Sequence, residues 1–290
     1  MKRWKPKIIK WGVVLLPLFT VVFVLKIFLP MISKQVRTSQ FGNDKSICET
    51  THFYTLTKKI PESPKDVAIS CENFYSAFVE EHKSQIAFKE LENKIEVFFF
   101  GNRKEFDEYY KKQYMRSIPH NAAFYSPLQQ RIVLYWNNNT RETLYHELTH
   151  MILDIAVNFH EPQFSVWFNE GLAMYFEKYT VQNGALIVGD LDKDAVLFVR
   201  QAYKNRLFVP LTALCQSQSA DFRSSQNSIY YYESYLFIYF LKHVKGNDIF
   251  LRYFKEEGKS GPCSPYALSN ILQKPNVEIE KEFLAYFKIN

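Results

Sequence analysis

Apolar positions change their spacing several times along this chain, and each change marks an element. Residues 11–32 are almost continuously apolar, interrupted by Lys26, and follow a leader over residues 1–10 that carries Lys2, Arg3, Lys5, Lys7 and Lys10. A basic leader before an apolar run long enough to span a bilayer reads as an uncleaved signal anchor, with Lys26 snorkelling to the outer interface. No small-residue cleavage site follows it. Five cations ahead of the span place the remainder outside the cytoplasm, in a periplasm or on a cell surface. Residues 33–51 are largely polar and read as a linker.

From residue 52 short apolar runs alternate with helical spacing. Residues 52–57 and 95–100 predict strands, 122–125 and 131–136 a hairpin. Residues 66–82 predict an amphipathic helix, and 105–115 a second with Phe106, Tyr109 and Tyr110 on one side. Beyond residue 140 the 3.6-residue period dominates, over 144–157, 166–179, 192–203, 230–244, 267–272 and 277–287, with a short element at 210–214. Asn183-Gly184 marks a turn and the polar stretch 216–228 a loop. In the 230–244 helix Tyr231, Ser234, Phe237, Ile238 and Leu241 share one face. Strands gathered first and helices after them predict an α+β domain over 52–290, with a small sheet-containing lobe at 52–160 and a mainly helical lobe at 161–290.

Composition sharpens this picture in three places. An apolar content of 47% and an aromatic content of 17% in 290 residues support a sizeable core and argue against disorder and repeats. The formal charge of +6 belongs to the leader: residues 1–40 hold eight of the 36 basic residues and no acid, which leaves 28 cations against 30 anions. A nucleic-acid partner is therefore disfavoured. Cys48, Cys71, Cys215 and Cys263 form an even set without close metal spacing, and sequence proximity favours Cys48–Cys71 and Cys215–Cys263 disulfides over the competing reading of four free buried thiols.

The chemistry sits in residues 143–150, T-L-Y-H-E-L-T-H, followed by W-F-N-E-G-L-A at 167–173. His146 and His150 are four apart on an expected helix, so both imidazoles can meet one atom. Zinc takes such nitrogens at about 2.0–2.1 Å, and a catalytic site uses three protein ligands and leaves one position open. Glu147 stands beside that position as a general base, and Glu170, on the next helix, supplies the third ligand. In so apolar a helix the histidines need partners; the competing reading is a pair of core histidines bonded to backbone. Asn139 with Glu142 fits a capping box that would start this helix, a better account of Asn138-Asn-Thr140 than glycosylation.

H-E-L-T-H followed by W-F-N-E-G-L-A resembles the gluzincin metallopeptidases, and most of all the small bacterial proteins called peptidase MA-like. The likeness runs over roughly residues 50–289, with H-E-x-x-H and N-E-G-L-A its sharp parts. It implies a zincin-like fold with a mixed sheet, zinc held by His146, His150 and Glu170, and Glu147 as the base in peptide hydrolysis. It also implies a peptide or protein substrate bound as an extended strand along the edge strand beside the active helix, either 122–125 or 131–136. An oxyanion donor is expected too. Tyr231 occupies the family-like Y-x-x-S position, Tyr230 and Tyr232 are rivals, and His160 is a weaker one. Two departures stand out. The G-x-M-E-N segment of the aminopeptidase branch is missing, which points to an endopeptidase. Where the thermolysin branch has an aspartate bonded to a zinc histidine, this chain has Met174, so that partner must come from elsewhere. The alternative functions are a zinc-containing envelope scaffold that binds peptides without cutting them, and a metal-free envelope protein.

Overall fold

The computed structural model describes residues 44–114, 122–157, 164–187, 190–260 and 266–289. The expected anchor at 11–32, His160 and Cys263 lie outside them. Among the described residues no helix is long and apolar enough to cross a membrane.

A five-stranded sheet in the order β1-β2-β3-β5-β4 is built from Lys45–Glu49 (β1), Phe53–Lys58 (β2), Ile95–Phe100 (β3), Ala123–Ser126 (β4) and Arg131–Tyr135 (β5). Strands β2, β3 and β5 are parallel, with Phe53 opposite Ile95 and Val97 opposite Ile132. Nearly every residue in them is buried, which explains why they read as unbroken apolar runs and not as alternation. Strand β4 returns antiparallel to β5, with Tyr125 opposite Ile132, and forms the sheet edge. That settles which hairpin strand is the edge. The sheet is mixed, as expected, but the linker expected through residue 51 gives way to β1, which closes the opposite edge.

Helix α1 (Pro64–His82) starts at Ser63, whose hydroxyl accepts the Asp66 N–H, and buries Cys71, Phe74 and Phe78. Its aromatic stripe meets the helices that follow: Phe74 stacks on Tyr145 at 4.4 Å and Phe78 lies 4.8 Å from Phe176. Cys71 is turned into this core and remains a free thiol, as does Cys48 on β1, so the expected Cys48–Cys71 disulfide is not formed. Cys215 is likewise a buried free thiol. Helix α2 (Arg103–Tyr114) covers the sheet's other side, where the buried Arg131 pairs with Glu96 and donates to Tyr109 Oη at 2.7 Å.

Two helices carry the motif, α3 (Thr140–Met151) and α4 (Val166–Glu177). Helix α3 runs on into a π-turn at Ile152–Ala156. A short hairpin, β6 (Thr180–Gln182) and β7 (Ala185–Ile187), turns at Asn183 and Gly184, both at positive φ (51° and 77°) as a two-residue hairpin requires. The rest is helical: α5 (Lys193–Lys204), α6 (Leu211–Cys215), α7 (Asn227–Phe240), α8 (Asn247–Ser260), α9 (Tyr266–Leu272) and α10 (Asn276–Tyr286). Helix α7 lies against α4 so closely that a Cβ on Gly171 would stand 2.7 Å from the Ser234 carbonyl oxygen. This is why the motif carries glycine there. Of the face expected here, Ser234, Phe237 and Ile238 on α7 and Leu241 just past its end are buried, while Tyr231 is half-buried.

Candidate metal centre

Local turn chemistry fixes where α3 begins, although not by the expected capping box. The Asn139 side chain makes no cap bond. Its N–H is instead held by Asn137 Oδ1 at 2.7 Å, while Thr140 Oγ1 accepts the Asn137 N–H at 2.9 Å. With that donor engaged, Glu142 has nothing to reach back to, and the Asn137 side chain sets the turn.

One turn apart on α3, the His146 and His150 rings lie 4.6 Å from each other at 82°. Glu170 comes from α4, and its Oε2 is 3.5 Å from Nε2 of each histidine. One ligand atom from each of the three residues falls within 4.8 Å of the others, a cluster able to hold a metal ion. The outer ring nitrogens are both taken. His146 Nδ1 bonds Glu177 Oε1 at 2.6 Å and His150 Nδ1 bonds Asn169 Oδ1 at 2.7 Å, which leaves each Nε2 turned inward. Glu177 thus fills the role that Met174 cannot. It lies seven residues beyond Glu170, two helical turns along the same face. That periodicity was available to find it, and Asn169 sits inside the N-E-G motif itself.

Electrostatics within the cluster are tightly coupled. Burial disfavours charge on His146, but the Glu170 and Glu177 carboxylates outweigh it and hold its pKa well above the ordinary value. His150 is raised against the same burial, chiefly by Glu170. Burial alone would raise Glu170; the two imidazoles pull it far below the usual carboxylate range. Glu147 goes the other way. It is nearly buried, and desolvation lifts its pKa despite the neighbouring histidines. The Tyr125 backbone N–H, on edge strand β4, acts in the opposite sense and slightly favours the charged form, an effect of the tertiary fold that leaves no mark in sequence.

Among the tyrosines of α7, Tyr231 is the one set in the field of the cluster. Burial raises its pKa first, and the charges of Glu170 and Glu147 raise it further. Its ring stands edge-on to Phe222 at 5.0 Å. Tyr230 is influenced instead by Asp221 and Glu233, and Tyr232 packs on Phe198 at 5.0 Å.

The N-terminus of α4 is anchored from a distance. Glu257 on α8, fully buried, accepts both the N–H and the hydroxyl of Ser165, and its other oxygen accepts Tyr253 Oη–H at 2.8 Å. A carboxylate at a helix N-terminus satisfies free N–H groups and suits the helix dipole. Beside His150 opens a cavity of about 600 Å³. Gln216, Ser217 and Gln218 line it, so part of the polar stretch expected as a loop borders the site.

Among known families, residues 141–264 match one described as protein of unknown function (DUF1570), a span of less than half the chain that contains all three ligand candidates. No curated protein matches the chain.

Proposed function

We propose that this chain is a zinc-dependent metallopeptidase of the gluzincin type, an endopeptidase tethered by its N-terminal segment outside the cytoplasm. The observation that supports it most is the spacing of the three inward atoms. Ligands about 2.0–2.2 Å from a tetrahedral ion stand roughly 3.3–3.6 Å apart, and Glu170 Oε2 lies 3.5 Å from each Nε2. Two imidazoles and one carboxylate, with an outer partner on each imidazole, are a donor set suited to zinc.

His146 and His150 would hold the ion through Nε2 and Glu170 through a carboxylate oxygen. Bound zinc supplies a Lewis acid for the scissile carbonyl and makes water a better nucleophile near neutral pH. Glu147 takes the proton of the attacking water and delivers it to the leaving amine. Its desolvated setting, which raises its pKa, suits a carboxylate that must carry a proton for part of the cycle. Tyr231 keeps its phenolic proton, because burial and two nearby carboxylates raise its pKa, and so can donate to the oxyanion. An extended peptide adds to edge strand β4, which packs against helix α3.

Incubation of the purified full chain with a mixture of peptides, followed by mass spectrometry, tests this. Zinc-loaded wild type should cleave internal bonds, and Glu147→Gln should lower the rate by roughly 10²–10⁴-fold while still binding zinc. Equal cleavage by both proteins would overturn the assignment of Glu147. Zinc-loaded wild type that cuts nothing would favour a peptide-binding scaffold.

A further inference from the structure

The cavity beside His150 has a composition that the hydrolytic step does not explain. It spans about 600 Å³, within the range of roughly 300–1,000 Å³ usual for ligand pockets. Leu153, Phe164 and Val166 give it an apolar wall, and among the described residues no lysine or arginine lines it. Among the described residues its charged groups are His150, Glu170 and Asp154. The first two belong to the metal cluster, so Asp154 is the one left to meet a guest.

Asp154 is placed there by an unusual turn. It is the only ionisable residue in the run 151–157, with Leu153 buried on one side and Ile155 half-buried on the other. The helix widens at this point into a π-turn, with Val157 N–H donating to Ile152 C=O at 3.1 Å. Such insertions often occur at functional sites. The exposed Asp154 carboxylate accepts the Tyr125 Oη–H at 2.7 Å. One hydroxyl leaves further acceptor positions on a carboxylate. The Cys215 thiol, also in the lining, is pushed up to about 12 by burial and by Glu257 and stays neutral.

We propose that this cavity receives a lysine or arginine side chain of the substrate next to the scissile bond, and that Asp154 is the residue that selects it. The aliphatic stem lies along Leu153, Phe164 and Val166 while the cationic head reaches Asp154 at the exposed side. A glutamate in the same place would set its carboxylate against that of Asp154, with no lysine or arginine among the described lining residues to pair with it. This inference deepens the peptidase reading and rests on it only for the words "scissile bond".

The test uses full-length protein carrying Glu147→Gln and fluorescent peptides identical except for Lys, Leu or Glu at one scanned position, with binding followed by anisotropy. At one position Lys should bind about tenfold tighter than Leu, the lower range for a charge-assisted bond, and Glu weakest. Adding Asp154→Asn should shrink the Lys advantage below about twofold, and Asp154→Lys should turn the preference toward Glu. Leu as the tightest binder, a Lys preference untouched by Asp154, or no binding by any peptide would overturn the proposal. The two readings separate cleanly. Selective binding without cleavage by the Glu147 protein sinks the peptidase and keeps the pocket; cleavage without the preference does the reverse.

Discussion

His146 and His150 each point one ring nitrogen at Glu170 and give the other to a neighbour, Glu177 or Asn169. Those outer bonds fix tautomer and orientation, so they should matter to metal binding almost as the ligands do. Glu177→Gln is expected to weaken zinc affinity by roughly 10–100-fold with unchanged circular dichroism, measured by competition with a chelator. An unaltered affinity would mean that Glu177 is only packed there. Away from the site, His82 is fully buried, its Nδ1 bonded to the Phe78 carbonyl at 2.8 Å. Burial, reinforced by the nearby Lys242 charge, lowers its pKa to about 3. Between that value and about 6.5 the unfolded chain binds a proton that the folded one refuses, so stability falls as pH drops through this window. By pH 4.5 the loss attributable to His82 should be on the order of 2–3 kcal/mol. Urea titrations at pH 7 and pH 4.5 should show that much less acid sensitivity in His82→Phe.

At the scale of elements, the third ligand depends on how α4 is held. Gly171, next to Glu170, lets α4 approach the α7 backbone at Ser234. Both nearest atoms there belong to main chain and cannot swing away. Gly171→Ala should therefore cost about 2 kcal/mol in chemical denaturation and loosen metal binding as well; a variant as stable as wild type would contradict this packing. Glu257 holds the other end of α4 through Ser165. Removing it in Glu257→Ala leaves buried donors without a partner and should destabilise by roughly 2–4 kcal/mol, against a much smaller loss for Glu257→Gln. Much at this scale was legible in sequence. The 95–100 strand and the 66–82, 166–179 and 192–203 helices follow directly from periodicity, within a few residues at their ends. The π-turn after α3 was not, because I-L-D-I-A-V fits continued α-helix equally well. Asn183-Gly184 signalled a turn, but the three-residue strands it joins are too short to show alternation.

For the whole molecule, the sheet supplies an edge strand and the helices supply the candidate ligands, which gather where β4, α3 and α4 meet. The spacing of His146, Glu147, His150 and Glu170 was enough to name the cluster, because helix geometry turns a four-residue interval into a shared face. What lay beyond sequence depends on the tertiary fold: the effect of the Tyr125 N–H on Glu147, the Glu257 cap, and β1 closing the far edge. Cysteine count misled for the same reason, since parity and proximity say nothing of direction, and Cys71 points into the core. The central claim is that His146, His150 and Glu170 bind zinc, and elemental analysis of the purified full chain tests it most directly. Wild type should retain about one zinc per chain through dialysis, and His146→Ala should lose it while remaining folded. A folded wild type that holds no zinc when zinc is supplied, or a His146→Ala variant that keeps it, would contradict the account.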